Sequence, residues 1–386
     1  MVNIALLWYF FIPLFLSVAT IFIVRKLMPD RDISLGQIVG FTAGGMLISM
    51  LIMTSAFYAG KGSKTSDTEI LNGEVVKKDR IHDSYVRSYQ CNCYTTTDSD
   101  GHSTEHCSTC YEDHYTVDWK CSTNIGSYTI KALDETSKRV YKSPDPQRWL
   151  IIKPGDPVSA THGYTNYIKA VPETLFNPVS SAQREKYKAL IPAYPDRIYD
   201  FYHVDRVIPI GIPVSNIREW NDKLSEVLKK LGPARQANAV IVLTKFTDDG
   251  FYFALQDAWK NGKKNDIVVV IGASSFPAKA DWVRIMALTK DEIFQVSLRD
   301  RILALPTLTA DGVIGAVRDE GFATFKRKSM KDFKYLEAEI DPPAWVMTTC
   351  SILIALAYFG FWIFTYVNRG RANSFNSYGM PRLRRY

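Results

Sequence analysis

Three long stretches without a charged side chain decide what this chain can fold into. They are residues 4–24 (IALLWYFFIPLFLSVATIFIV), 38–59 (IVGFTAGGMLISMLIMTSAFYA) and 344–367 (AWVMTTCSILIALAYFGFWIFTYV), of 21, 22 and 24 residues. About 20 apolar residues carry a helix across the hydrocarbon core of a bilayer. The pattern predicts three transmembrane helices, with Trp8, Tyr58, Trp345, Trp362 and Tyr366 near the span ends, where amphipathic rings settle at headgroup level. The first run is expected to be an uncleaved span. Its leading MVN has no positive side chain, and Arg25-Lys26 follows the apolar run instead of preceding it.

Lys and Arg near the span ends set the orientation. The loop 25–37 holds Arg25, Lys26 and Arg31, and the tail 368–386 holds five Arg and no acid. Both are expected in the cytoplasm, which leaves residues 60–343 extracytoplasmic. Lys61, Lys64, Lys77, Lys78 and Arg80 oppose this order, but they open a long translocated segment, where the rule is weak. No acidic, basic or His residue lies inside a span, which speaks against a channel or transporter. Gly36, Gly40 and Gly44 recur every four residues and offer a face on which another helix can approach closely, within the chain or in a second copy. Glycine is also simply common in such helices. The expected partners are thus the lipid bilayer and a homo-oligomer. A net charge of +7 does not point to nucleic acid.

The exported region reads as two parts. Residues 60–212 are β-rich: TEILNGEVVKKD, SYTIKALD, KRVYKS and RWLIIKPGDPV mix β-branched and aromatic residues with turn signals such as Asn72-Gly73. The stretch 171–200 is Pro-rich and irregular. Residues 213–340 alternate helical and strand patterns. A helix over 216–231, stopped by Gly232-Pro233, leads to strand 238–245, helix 251–262, and strands 265–273 and 282–288. Helical patterns follow at 291–303, 309–325 and 327–340, so this part is expected to be an α/β sandwich.

The run from NAVIVLTK through AWKNGKKNDIVVVIG to WVRIMAL resembles the TPM domain, the α/β module of thylakoid-lumen photosystem-repair proteins and related bacterial membrane-anchored proteins. The match spans about residues 213–340, with Trp259, Gly262, Lys263, Lys264, Asn265 and Asp266 in the segment that carries it. The resemblance implies an acid phosphatase or a calcium-binding module. The glycine-rich stretch usual after the third strand is replaced here by ALTKDEIFQVSL, which departs from both. Asp248, Asp249 and Asp266 are the candidate cation or ligand residues, since carboxylates suit hard cations. The plainer reading is that Asp248-Asp249-Gly250 turns the chain and caps a helix.

The most specific motif is CNCYTTTDSDGHSTEHCSTC, residues 91–110. Cys91, Cys93, Cys107 and Cys110 have the spacing of two zinc knuckles. In an oxidising compartment the same four suit disulfides crossing from one knuckle to the other, because C-x-C does not readily close on itself. Zinc and disulfides both remain open, and either would fasten a polar hairpin. Cys121 is left over, and Cys350 lies in the third span.

The chain is therefore expected to be an α+β membrane protein with three transmembrane helices, a cysteine-pinned β-rich module and a TPM-like α/β domain. The familiar catalytic signatures are absent from the sequence. The expected role is a non-enzymatic, oligomeric interaction or assembly protein, with a TPM-type phosphatase or a metal-binding repair factor as the alternative. The cysteine segment also resembles uncharacterised membrane proteins of tailed phages, which implies a phage-encoded membrane or virion-associated protein.

Overall fold

The computed structural model describes residues 4–27, 35–99, 101–130, 145–171, 185–196 and 204–368. In chain order come α1 (Ile4–Leu27), α2 (Leu35–Thr65), β1 (Ser66–Thr97), β2 (Ser103–Thr123), β3 (Gly126–Ile130), α3 (Gln147–Ile151), β4 (Pro157–Thr165) and α4 (Tyr167–Ala170). Then follow β5 (Val207–Ile210), α5 (Ile217–Arg235), β6 (Asn238–Thr244), α6 (Gly250–Trp259), β7 (Asp266–Gly272) and β8 (Trp282–Ala287). The chain closes with α7 (Ile293–Leu303), α8 (Ala310–Ala323), a 3-10 stretch (Met330–Glu339) and α9 (Ala344–Asn368). One unit gathers Met1–Asp67, Tyr164–Asn177 and Met330–Tyr386; the other gathers Thr68–Gly163 and Pro178–Ser329.

In the first unit, two helical stretches are long and apolar enough to cross a membrane, Thr42–Thr65 in α2 and Ala344–Phe364 in α9. The count over the described residues is therefore two and not the three expected. The first apolar run does form a helix, α1, of 24 residues with Pro13 inside it and Arg25 and Lys26 in its last turn. Arg31 and the Arg-rich tail lie outside the described residues. Met53 and Phe57 of α2 pack with Met347 and Ile354 of α9. Polar contacts pin the helices together, as an unpaired hydroxyl among apolar side chains is costly. Ser17 Oγ and Tyr358 Oη share a 2.7 Å hydrogen bond, and Trp362 Nε1 donates to Thr20 Oγ1 at 3.0 Å.

The second unit holds two sheets. The first has the order β3-β2-β1-β4. Val75, Trp119, Cys121, Ile130 and Val158 form its core with Trp149 and Ile152. RWLII, expected as a strand, belongs to α3, which turns Trp149 inward. Lys78 Nζ donates to the carbonyls of Trp149 and Ile152 and lies 4.6 Å from the Trp149 ring centre. Those acceptors and that ring favour a turn of helix over an added strand.

The second sheet has the order β5-β6-β7-β8, with β5, β6 and β7 parallel and β8 antiparallel to β7. Helices cover both faces, so β6 and β7 are buried at every position. Ile241, Leu243, Val269 and Ile271 meet Trp220, Leu224, Phe294 and Val313 on one face. Val240, Val242, Val268 and Val270 meet Phe251, Leu255 and Trp259 on the other. Two expectations need correction. β5 falls in the stretch assigned to the β-rich module, yet it pairs with β6 from Val207↔Ile241 to Ile210↔Thr244. Also, α5 runs through Gly232-Pro233 to Arg235 and ends where Gln236 adopts a left-handed conformation. Gly232 is required for another reason: a Cβ there would lie 2.4 Å from the Asn72 carbonyl oxygen, so only glycine lets α5 approach β1 this closely.

Candidate functional site

Beyond the core of the first sheet, β1 and β2 continue together as a two-stranded ribbon. Their register runs unbroken from Lys77↔Ser122 to Cys91↔Ser108 and resumes from Tyr94↔His106 to Thr97↔Ser103. Between them lies a bulge at which Asn92 has φ 50°. β3 pairs only with Trp119–Thr123 of β2, and the Glu69–His162 and Asn72–Ser159 contacts set β4 beside the start of β1. Residues 81–97 and 103–117 therefore extend about 55 Å as a ribbon of two strands, at about 3.4 Å per residue. Asp98 closes the tip, its Oδ1 accepting from the His102 backbone N–H at 2.9 Å while Gly101 takes φ 85°.

The four cysteines fall on this ribbon at disulfide distance across the strands: Cys91 with Cys110, and Cys93 with Cys107, at Cα separations of 5.8 and 4.1 Å. Both pairs join one knuckle to the other. The four sulfurs do not gather round one point. Among the described residues, only Cys93 and Cys107, with Glu105, have ligand atoms all within 4.8 Å of one another. A four-thiolate centre does not fit that arrangement. Cys121 takes no part, being buried beside Trp119 and Tyr128, and burial pushes its thiol pKa up.

The ribbon exposes large side chains on both faces: Tyr85 47%, Val86 61%, Tyr89 47%, Tyr94 62% and Tyr111 72%. Tyr94 stacks on His106, whose Nε2 lies 3.1 Å from Thr96 Oγ1. From 81 to 118 the sequence carries seven acidic residues against Arg87 alone, a net charge of −6.

No family model, curated protein or solved structure matches this chain.

Asp248, Asp249 and Asp266 do not converge. Asp266 opens β7, paired with Asn238 at the start of β6, whereas Asp248 and Asp249 follow the far end of β6. A strand of seven residues separates them, about 20 Å. Asp248 accepts from Tyr187 Oη at 2.9 Å and from the Gly250 N–H at 3.1 Å; the tyrosine bond first, then the backbone bond, holds its carboxyl below the ordinary range. Asp249 is paired with Arg284, whose Nε donates at 3.0 Å. Asp266 is buried and accepts from Asn238 Nδ2 (3.0 Å), Tyr194 Oη (2.8 Å) and the Lys263 N–H (2.7 Å). Burial raises its pKa against those bonds.

Asp266 belongs instead to a buried polar network that ties the two sheets. Arg206, fully buried, donates from Nη2 to Asn72 Oδ1 (2.5 Å) and Ser159 Oγ (2.6 Å), and from Nε to Asn238 Oδ1 (3.0 Å). Burial lowers its guanidinium pKa to about 10. Beside this network lies a cavity of about 430 Å³, lined in part by Glu69, His162, Lys264, Asn265 and Arg327. Glu69 is the buried centre of that charge cluster, with Lys264 Nζ at 2.8 Å and His162 Nδ1 at 3.0 Å from its Oε1. Among the described residues, no Ser, Thr or Cys lines the cavity beside the Glu69–His162 pair. Sequence reasoning missed Glu69, Asn72 and Arg206. The one signal was polarity in the wrong place: Asn238 and Asn265-Asp266 stand directly before apolar strand runs.

Of the glycines at four-residue spacing, Gly40 and Gly44 have no atom within 4 Å of a built Cβ, and the close approach falls to Gly45, where a Cβ would lie 2.9 Å from Tyr358 Oη. Gly40 and Gly44 line an open groove of about 720 Å³ beside α9. Gly36 lies in the first turn of α2.

Proposed function

We propose that this chain is a membrane-anchored, non-enzymatic assembly protein that displays residues 60–343 outside the cytoplasm and contacts further copies of itself through the β1–β2 ribbon. The observation that carries this is the ribbon itself. An isolated hairpin is marginal in water, yet this one extends far beyond its sheet with aromatic residues exposed on both faces. Closing loops of 19 and 14 residues, its two cross-links stabilise it by about 3 kcal/mol each in the chain-entropy account. A rigid hairpin rich in Tyr, Ser and Thr presents large amphipathic contacts at little cost in ordering.

Charge indicates what it meets. The ribbon carries −6, whereas residues 119–343 carry 33 basic and 27 acidic side chains, a net +6. The acidic ribbon of one copy is therefore complementary to the body of another. Disulfides also belong to an oxidising space, which agrees with Arg25-Lys26 and the Arg-rich tail lying in the cytoplasm. The first apolar run then serves as the third span that this orientation requires. In this reading the four ribbon cysteines form disulfides and hold no zinc.

The test is the oligomeric state of the full chain in mild detergent before and after Tyr94→Ser and Tyr111→Ser. A monomeric parent protein, or an assembly indifferent to both changes, removes the proposal. Hydrolysis of a phosphomonoester that Asp266→Ala abolishes would establish the phosphatase alternative instead.

A further inference from the structure

We infer that three lysines just beyond strand β8, Lys290, Lys326 and Lys328, form the seat on which one face of a second copy's ribbon docks. This rests on the ribbon-driven assembly proposed above and names the two surfaces that meet. A short antiparallel bridge brings the lysines together. Thr289 pairs with Arg327, the Lys290 N–H donates to the Lys326 carbonyl at 2.7 Å, and the Lys328 N–H donates to the Leu288 carbonyl at 2.8 Å. Residues opposite one another in such a pairing point to the same face, with Cβ atoms about 5 Å apart. Thr289 and Arg327 therefore share one side, where Thr289 is buried. Leu288, Lys290, Lys326 and Lys328 share the other, where Lys290 and Lys326 are exposed and Leu288 is half-buried. Lys290 stands across from Lys326, and Lys328 follows two residues along the same strand. Like charges placed opposite each other repel. Among the described residues none of the three lysines has an ion-pair partner. An acidic partner removes that repulsion.

The register of the ribbon shows which of its faces fits. On one face Glu112 stands opposite Arg87, so an acid is matched by a base. Tyr94, opposite His106, belongs to that same face. On the other face Asp113 stands opposite Val86 and Glu105 opposite Thr95, and neither acid has an ion-pair partner among the described residues. Tyr111, the most exposed large side chain of the ribbon, is on this second face, two residues from Asp113. Two residues along a strand span about 7 Å. The seat repeats that spacing, because Leu288 and Lys290 are also two residues apart on one face. Antiparallel docking sets the Asp113 carboxylate against Lys290 and Lys326 and lays the Tyr111 ring on Leu288. The unmatched acids of the ribbon and the unmatched lysines of the body thus neutralise one another.

The test mixes isotope-labelled and unlabelled full chain in mild detergent and adds a carbodiimide, which couples a carboxylate to an amine in contact with it. Mass spectrometry should find mixed-isotope peptides joining Asp113 to Lys290, Lys326 or Lys328. By light scattering, Asp113→Lys and Lys290→Glu/Lys326→Glu should each raise the concentration at which the oligomer dissociates by about tenfold or more. All three changes in one chain should restore assembly, which variants that had merely misfolded would not do. The inference is overturned, with the ribbon reading intact, if Tyr111→Ser dissociates the oligomer while Lys290→Glu/Lys326→Glu assembles like the parent protein. A triple variant that stays dissociated overturns it as well. So does inorganic phosphate binding, read by isothermal titration, that the lysine variant loses while its assembly is unchanged, since the lysines then serve a small anion. A parent protein of single-copy mass removes both the inference and the reading beneath it.

Discussion

Arg206 Nη2 donates to Asn72 Oδ1 at 2.5 Å, joining the second sheet to strand β1 of the first inside a fully buried network. Removing one partner of a buried charged network costs about 3–5 kcal/mol, because the groups left behind have no water. Arg206→Ala removes a donor from each of Asn72 Oδ1, Ser159 Oγ and Asn238 Oδ1 at once and leaves only the weaker neutral bonds from Ser159 to Asn72 and from Asn72 to Asn238. Thermal unfolding of the full chain in detergent should show the transition of the second unit falling by roughly 10 °C. Arg206→Lys, with one point donor where three directions are needed, should recover only part of that.

Asp145 gives the pH dependence its sign. Hydrogen bonds from Arg80 and then Trp119, whose Nε1 is 2.8 Å away, hold its carboxyl below the ordinary value of 3.8. A depressed folded-state pKa contributes stability above the unfolded value and loses it as pH falls through the folded one. Asp145→Asn should therefore melt lower than the parent protein at neutral pH. The difference should close below pH 3.8, which parallel melting curves would check.

Much of this architecture was legible because hydrophobic period is a strong signal. The continuous apolar runs of β6 and β7 could only be strands covered on both faces, and the α7 and α8 patterns were plain in 291–303 and 309–325. What was not legible depended on partners far away in sequence. RWLII had the composition of a strand and became helix α3 because Lys78 meets its end and Trp149 turns inward. Asn72 looked like a turn residue and is a buried acceptor for Arg206, 134 positions later. Of the candidate sites, the four cysteines and a crossing from one knuckle to the other were visible in the spacing, whereas which cysteine meets which was not. The charged cavity was not, because Glu69, His162, Lys264 and Arg327 share no local pattern.

The cysteine chemistry is checked by mass spectrometry of the unreduced protein. Linked peptides Cys91–Cys110 and Cys93–Cys107 are expected, with Cys121 and Cys350 alone labelled by a thiol reagent after denaturation. Four free thiols in the ribbon together with stoichiometric zinc would assign the metal reading instead.

The glycines of α2 should separate bundle packing from assembly. Gly45→Leu drives a side chain into Tyr358 and should lower the yield of folded protein. Gly44→Leu enters the open groove, where nothing lies within 4 Å, and should leave the bundle folded. If a second copy's helix fills that groove, the same change weakens the oligomer, which crosslinking in detergent would show.

The most direct test of ribbon-driven assembly is light scattering of the full chain in mild detergent, for the parent protein and for Tyr94→Ser/Tyr111→Ser, at low and raised salt. The account predicts a parent protein heavier than one copy at low salt, shifting toward monomer as salt screens the opposed −6 and +6 charges. It also predicts a double variant that is monomeric with an unchanged melting temperature. A parent protein of single-copy mass, or a double variant that assembles like it at both salt concentrations, would contradict it.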